Sequence, residues 1–277
     1  MQHKRLDYLD FIKGFAMLLV IFGLSYFTTI ATTAVPQRRG VLWQCAFRSN
    51  FAIIGLSLAG ALGGDEAMAV AAIVSAFTIP VFNTLGVIAL SIFLDGGKPD
   101  VKKILINVAK NPLIIAVLLG IAALGIRMGQ EAIFGRVVFS IERDTYFLYK
   151  SLTNLKAIAS PFALLVLGGQ FEFSAVKALF KDIVVGTVWR TVITPLLGVG
   201  GAVLLTAMGI LSCGVNEYPA LIALFGSPVA VSSAIMAGSM GNDEQLATQL
   251  VVWTSICSMV TVFLLVSAMI AMGLLAA

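Results

Sequence analysis

The 277-residue chain is 59% hydrophobic and only 12% charged, with a mean hydropathy of +1.00, against roughly 45 to 50% apolar and 25% charged in a soluble domain. Its net charge of +4 raises a nucleic-acid reading, but Lys and Arg sit in short loops beside apolar runs, where they help fix membrane topology. With His3 the lone histidine, neither a Ser/His/Asp triad nor a His-rich metal site can be assembled.

Stretches able to cross about 30 Å of hydrocarbon occur in chain order near 14-34, 41-62, 67-94, 104-126, 157-171, 183-211, 218-240 and 245-275. They are continuously apolar, without the two-residue alternation of a barrel, so helices must satisfy the backbone. The fold class is all-α membrane, with about eight transmembrane helices. The first run is too long for a cleaved signal peptide and is followed by further spans. Cys45, Cys213 and Cys257 stand singly in or beside apolar segments and read as free thiols. No Walker-type phosphate loop occurs, no cofactor is implied, and any energy coupling is expected from an H⁺ or Na⁺ gradient, the ion undetermined.

Ala52 to Glu66 (AIIGLSLAGALGGDE) recurs as Ala230 to Glu244 (AVSSAIMAGSMGNDE) at a constant offset of 178, without a gap. Five spans separate the two acidic turns, so the turns should face opposite sides of the membrane and the repeat is inverted, as in many secondary transporters. The parity requires 157-171 to cross. Pairing spans one to three with six to eight leaves four and five unmatched, which implies a ten-helix, 5+5 fold lacking two helices before residue 14. The expected division is an incomplete first repeat at 1-97, with three helices, and a second repeat at 98-277, with five.

In such folds substrate lies at the midplane where helices break. The second span carries Arg48, Ser49, Asn50, Gly55 and Ser57; its partner carries Ser227, Pro228, Ser232 and Ser233, and Asn50 aligns with Pro228. Pro228 frees a carbonyl and the adjacent Ser lets the backbone open; the competing reading is a kinked helix with Ser bonded to its own carbonyls. Asn50 could bind a carboxylate through its NH₂ or join helices. Arg48 either attracts an anion or snorkels. Pro80, Asn83, Pro161, Gln170, Trp189, Arg190 and Pro195 are weaker signals, read as kinks and packing.

QRRGVLWQCAFRSNFAIIGLSLAGALGG, KNPLIIAVLLG, SPFALLVLGGQFEF and ALFGSPVAVSSAIMAGSMGNDEQLA resemble, in order, the auxin efflux carrier family, whose bacterial members include malate-permease-like proteins. The resemblance spans roughly residues 25-277. It implies ten helices in two inverted repeats whose broken fourth and ninth helices cross at the substrate site, with Asn50 on one and Ser227, Pro228, Ser232 and Ser233 on the other. It implies a permease or efflux carrier for a small organic anion in the inner (cytoplasmic) membrane, with the loop of Lys98, Lys102 and Lys103 cytoplasmic. The chain departs from the family in having Gly55, Leu56 and Ser57 where Gly-x-Pro is common, and in lacking the first two helices. Expected partners are the organic anion and the lipid bilayer, not nucleic acid, with a homo-oligomer left open. Residues 4-23 (KRLDYLDFIKGFAMLLVIFG) resemble the start of acyltransferase-3 membrane proteins, but Leu24 follows where a His is usual. A membrane acyltransferase and a transport-inactive carrier fragment are therefore the alternatives.

Overall fold

A computed structural model describes residues 8–94 and 101–275; His3, Lys98 and the expected boundary at 97/98 lie outside the described residues. Helices account for the regular structure: α1 (Tyr8–Thr32), α2 (Pro36–Phe47), α3 (Leu56–Ser91), α4 (Val101–Lys110), α5 (Pro112–Phe134), α6 (Ile141–Asp144), α7 (Tyr146–Gln170), α8 (Phe173–Val188), α9 (Gly201–Ala207), α10 (Glu217–Gly226), α11 (Ser232–Ser239) and α12 (Glu244–Ala271). Among the described residues, five runs are long and apolar enough to cross a membrane: Phe51–Ser91, Ile114–Phe134, Tyr146–Gln170, Phe173–Ala207 and Glu244–Ala271. The chain is thus an all-α, multi-pass membrane protein.

The element boundaries have local causes. The expected short span at 157-171 is the end of a 25-residue helix, α7. Its first turns carry Lys150, Asn154 and Lys156, which are helical without being apolar, so hydropathy marked only the second half. The run expected at 104-126 divides at Asn111, because Pro112 disfavours helix in the residue before it; α4 is a separate short helix and α5 continues to Phe134. The spans at 41-62 and 67-94 meet at Gly63 and Gly64, whose backbones leave the helix. Gly64 has φ +68°, a conformation that a side chain strains.

The run from Phe173 to Ala207 continues α8 through two wide π turns, Trp189–Ile193 and Leu196–Gly200. Pro195 lies between them; it has no N–H to give to the carbonyl four residues back, and the hydrogen-bond register widens around it. Around this run pack α1, α2, α10 and α12, and α3 packs against α2 and α10. Phe22, Tyr26, Trp43, Phe47 and Phe93 form a ring cluster with centroids 4.3 to 5.9 Å apart, and Trp43 Nε1 donates to the Phe22 carbonyl at 2.7 Å, fixing α1 against α2. By contrast, no residue in the membrane-spanning window of α5 is buried by the rest of the chain, as suits a helix whose neighbours are mostly lipid tails.

Candidate site at the crossing of two broken helices

Two spans break at the residues that the repeat aligns. On the later one, Pro228 forces its predecessor out of the helix, and Ser227 is extended at φ −61°, ψ 148°; α11 resumes at Ser232. On the earlier one no proline is present, yet Arg48 is extended (φ −85°, ψ 106°) and Asn50 sits at φ −79°, ψ 48° before a wide turn over Phe51–Gly55. This second break is made by its partner: Ser49 and Val229 form an isolated antiparallel bridge, and the Asn50 N–H donates to the Pro228 carbonyl at 2.8 Å. Backbone opened at membrane depth must find partners inside the protein; here the Asn50 N–H and the Pro228 carbonyl satisfy each other, while the Val229 N–H donates to Thr254 Oγ1 at 3.2 Å.

The crossing gathers four half-helix ends, and each pair of ends has its own arginine. Arg48, 3% exposed, donates from Nη2 to Asn83 Oδ1 at 2.9 Å and Ser232 Oγ at 3.0 Å, and from Nη1 to Met236 Sδ at 3.1 Å. Gln44 Nε2 reaches the same sulfur at 3.3 Å. All these acceptors are neutral, and no carboxylate pairs with Arg48 among the described residues. Gly86 makes the room, since a Cβ there would lie 2.9 Å from Gln44 Nε2 and 3.2 Å from Arg48 Nη1. Ser232 and Ser233 occupy the first turn of α11, where the helix dipole presents positive charge, although the Ser233 and Ala234 N–H groups already donate to the Ala230 and Val231 carbonyls at 2.9 and 3.2 Å.

Arg190, fully buried, faces the opposite ends. It donates to the carbonyls of Ser227 (2.8 Å), Leu224 and Phe225 (3.1 Å each) and Ala46 (3.4 Å), while Thr194 Oγ1 donates to the same Ala46 oxygen at 2.7 Å. The Ser227 hydroxyl is turned back onto Ala223 O at 2.6 Å.

Of the residues singled out in the sequence, Arg48, Ser49, Asn50, Ser227, Pro228, Ser232 and Ser233 meet at the crossing. The Ser49 and Ser233 hydroxyls are buried without a hydrogen-bond partner, and Asn50, 6% exposed, uses its backbone at both ends: its carbonyl accepts from Ile54 and Gly55. Gly55 serves packing, because a Cβ would strike the Phe51 ring at 2.5 Å and approach Ala223 O at 3.1 Å. Ser57 is exposed and bonds back to Ile53 O at 3.3 Å, away from the crossing. Asn83 and Arg190, read as packing and kink residues, belong to the centre. The usable signal for Arg190 was an ionisable side chain midway along a 35-residue apolar run, which is expensive unless it has a purpose.

A second polar cluster ties the helices at one rim. Arg38 bridges Asp182 at 3.1 Å and Asp243 at 2.9 Å, and Asp243 also caps α12 by accepting from the Leu246 N–H. Leu24, at the position where the acyltransferase resemblance requires a base, is an exposed residue of α1.

Among known families, residues 98–266, more than half of the chain, match the one described as membrane transport protein. No curated protein matches the chain.

Proposed function

The chain belongs to the membrane transport protein family, that of the auxin efflux carriers, and from this premise we propose that it is a secondary transporter moving a small organic anion, a carboxylate, across the cytoplasmic membrane by alternating access. The observation that carries the proposal is Arg48: a buried guanidinium with, among the described residues, only Asn83, Ser232 and Met236 as side-chain partners. A buried cation without a counter-charge is costly, and a carboxylate is the ligand that a planar fork of N–H donors accepts best. The N-terminal end of α11 adds a dipole of the same sign, and the hydroxyls of Ser232 and Ser233 add donors beside it. Asn50, whose amide makes no side-chain hydrogen bond among the described residues, supplies a further donor. The equivalent breaks, offset by 178 residues and joined antiparallel, favour two inverted halves that exchange roles as access alternates.

The test is uptake of labelled mono- and dicarboxylates into proteoliposomes. Arg48→Met should abolish uptake, Arg48→Lys should keep part of it with a raised KM, and Asn50→Ala should lower it with little loss of stability. Uptake that is indifferent to Arg48→Met and Asn50→Ala would remove the carboxylate from this site.

A further inference from the structure

We propose that Arg190 is a positioning residue that acts as a built-in cation, holding the two half-helix C-termini of the crossing where ion-coupled carriers of comparable design place a bound cation. A helix leaves its last carbonyls unpaired and presents about half a negative charge at its C-terminus. Two such ends converge here: α2 ends at Phe47 and α10 at Gly226. Together they present about one negative charge, and one guanidinium meets it.

The hydrogen bonds match that account. Nε and Nη2 take the carbonyls of Ser227, Leu224 and Phe225 at the end of α10, and Nη1 takes that of Ala46 at the end of α2. Every one of these acceptors is a main-chain carbonyl, whereas the acceptors of Arg48 are all side chains. The chemistry explains the division. Carbonyls at half-helix C-terminal ends are the ligands that carriers with discontinuous helices offer to Na⁺ or H⁺, and a guanidinium already occupying them leaves a mobile cation no vacancy. Arg48, which lies beside the N-terminal end of α11 and has no negative helix end to neutralise, is left for the anion. The crossing is therefore charge-balanced on one side by the protein itself, and the inference extends the proposed transport reading: the anion moves without a cation bound at these carbonyls.

Chemical rescue decides it. Purified Arg190→Ala is compared with wild type, with low-millimolar guanidinium or urea added; the two have similar shape and donors, but only guanidinium is charged. We expect the variant's thermal unfolding midpoint to fall and guanidinium, not urea, to restore it. In proteoliposomes we expect Arg190→Ala to lower carboxylate uptake about a hundredfold, as when buried carbonyls lose a charged donor, with guanidinium restoring it. Wild-type uptake should be equal in Na⁺ and choline media. Equal rescue by urea, an unfolding midpoint unchanged in Arg190→Ala, or wild-type uptake that requires Na⁺ would overturn the inference. Should Arg190→Ala not reach the membrane, Arg190→Lys and Arg190→Met replace it: recovery of Lys alone supports the built-in cation, and equal behaviour of both overturns it. The unfolding measurement needs no substrate, so a wild type that carries no carboxylate counts against the transport reading and leaves the role of Arg190 to be decided by the midpoints.

Discussion

Asn50 donates its backbone N–H to the carbonyl oxygen of Pro228 at 2.8 Å, so the two residues that the sequence repeat sets in register are hydrogen-bonded to each other in space. The bond uses the main chain of Asn50 and leaves its amide for other work. Asn50→Pro should remove the donor, strand a buried carbonyl and cost about 1–3 kcal/mol. Asn50→Ala keeps the bond and should be nearly as stable as wild type. Unfolding midpoints in detergent separate the two, and equal midpoints would mean that the bond contributes nothing.

Asn83→Asp should place a carboxylate within reach of the Arg48 guanidinium, which now rests 2.9 Å from Asn83 Oδ1. A tethered counter-charge relieves a buried cation and competes with a diffusing one. The expected outcome is a protein at least as heat-stable as wild type whose carboxylate uptake is reduced by about tenfold or more, a loss of about 1.4 kcal/mol in anion binding. Unchanged uptake would place the anion elsewhere.

Gly198, on the second wide turn of the long central run, lies directly against Phe225: a Cβ there would sit 2.2 Å from the ring. Phe225 is 1% exposed and has no room to retreat. Gly198→Ala should therefore cost at least about 1–3 kcal/mol by overpacking, read as a lowered unfolding midpoint. Because the Phe225 carbonyl also accepts from Arg190, the same change should weaken the arginine's cradle.

In the connection between α5 and α7, Arg143 holds Asp144 at 2.9 Å and also donates to the Val138 carbonyl. The Arg143 hydrogen bond, helped by the Ser140 N–H, holds the Asp144 carboxyl below its ordinary value. A carboxylate whose folded value is depressed contributes order that is present above its unfolded value and is lost as pH falls through the folded one. The loop should thus be ordered at neutral pH and loosen in acid, below the usual aspartate range. Asp144→Asn imitates the acid form at neutral pH and should speed tryptic cleavage after Arg143; cleavage at the wild-type rate would show the pair to be decorative.

The break at Ser227–Pro228 could be read in the sequence because proline acts on its own neighbour. The break at Arg48–Asn50 could be suspected only through its alignment with the first, since its cause lies 178 residues away in the chain. Arg190 and Asn83 were visible as polar residues in apolar runs, but which of several such residues converge depends on helix rotation and on the wide turns around Pro195, and neither is written in hydropathy. Ser57 shows the reverse error: proximity in sequence to a break does not place a hydroxyl in it, and one turn further along it points outward. Helix α7 was under-read because its first half is helical and polar at once.

The mutual repair of the two breaks also sets a timetable for biosynthesis. Residues 48–50 are made long before residues 227–229 exist, by roughly ten to thirty-five seconds at ordinary elongation rates. Throughout that interval the earlier span lacks the strand-like partner it has in the folded protein, and its opened form would leave backbone groups unpaired in hydrocarbon. It must enter the bilayer as an unbroken helix, or with water in place of its partner, and acquire its final shape late. The crossing is therefore among the last parts of the molecule to mature, and a chain stalled before residue 227 carries the sequence of the site without its architecture.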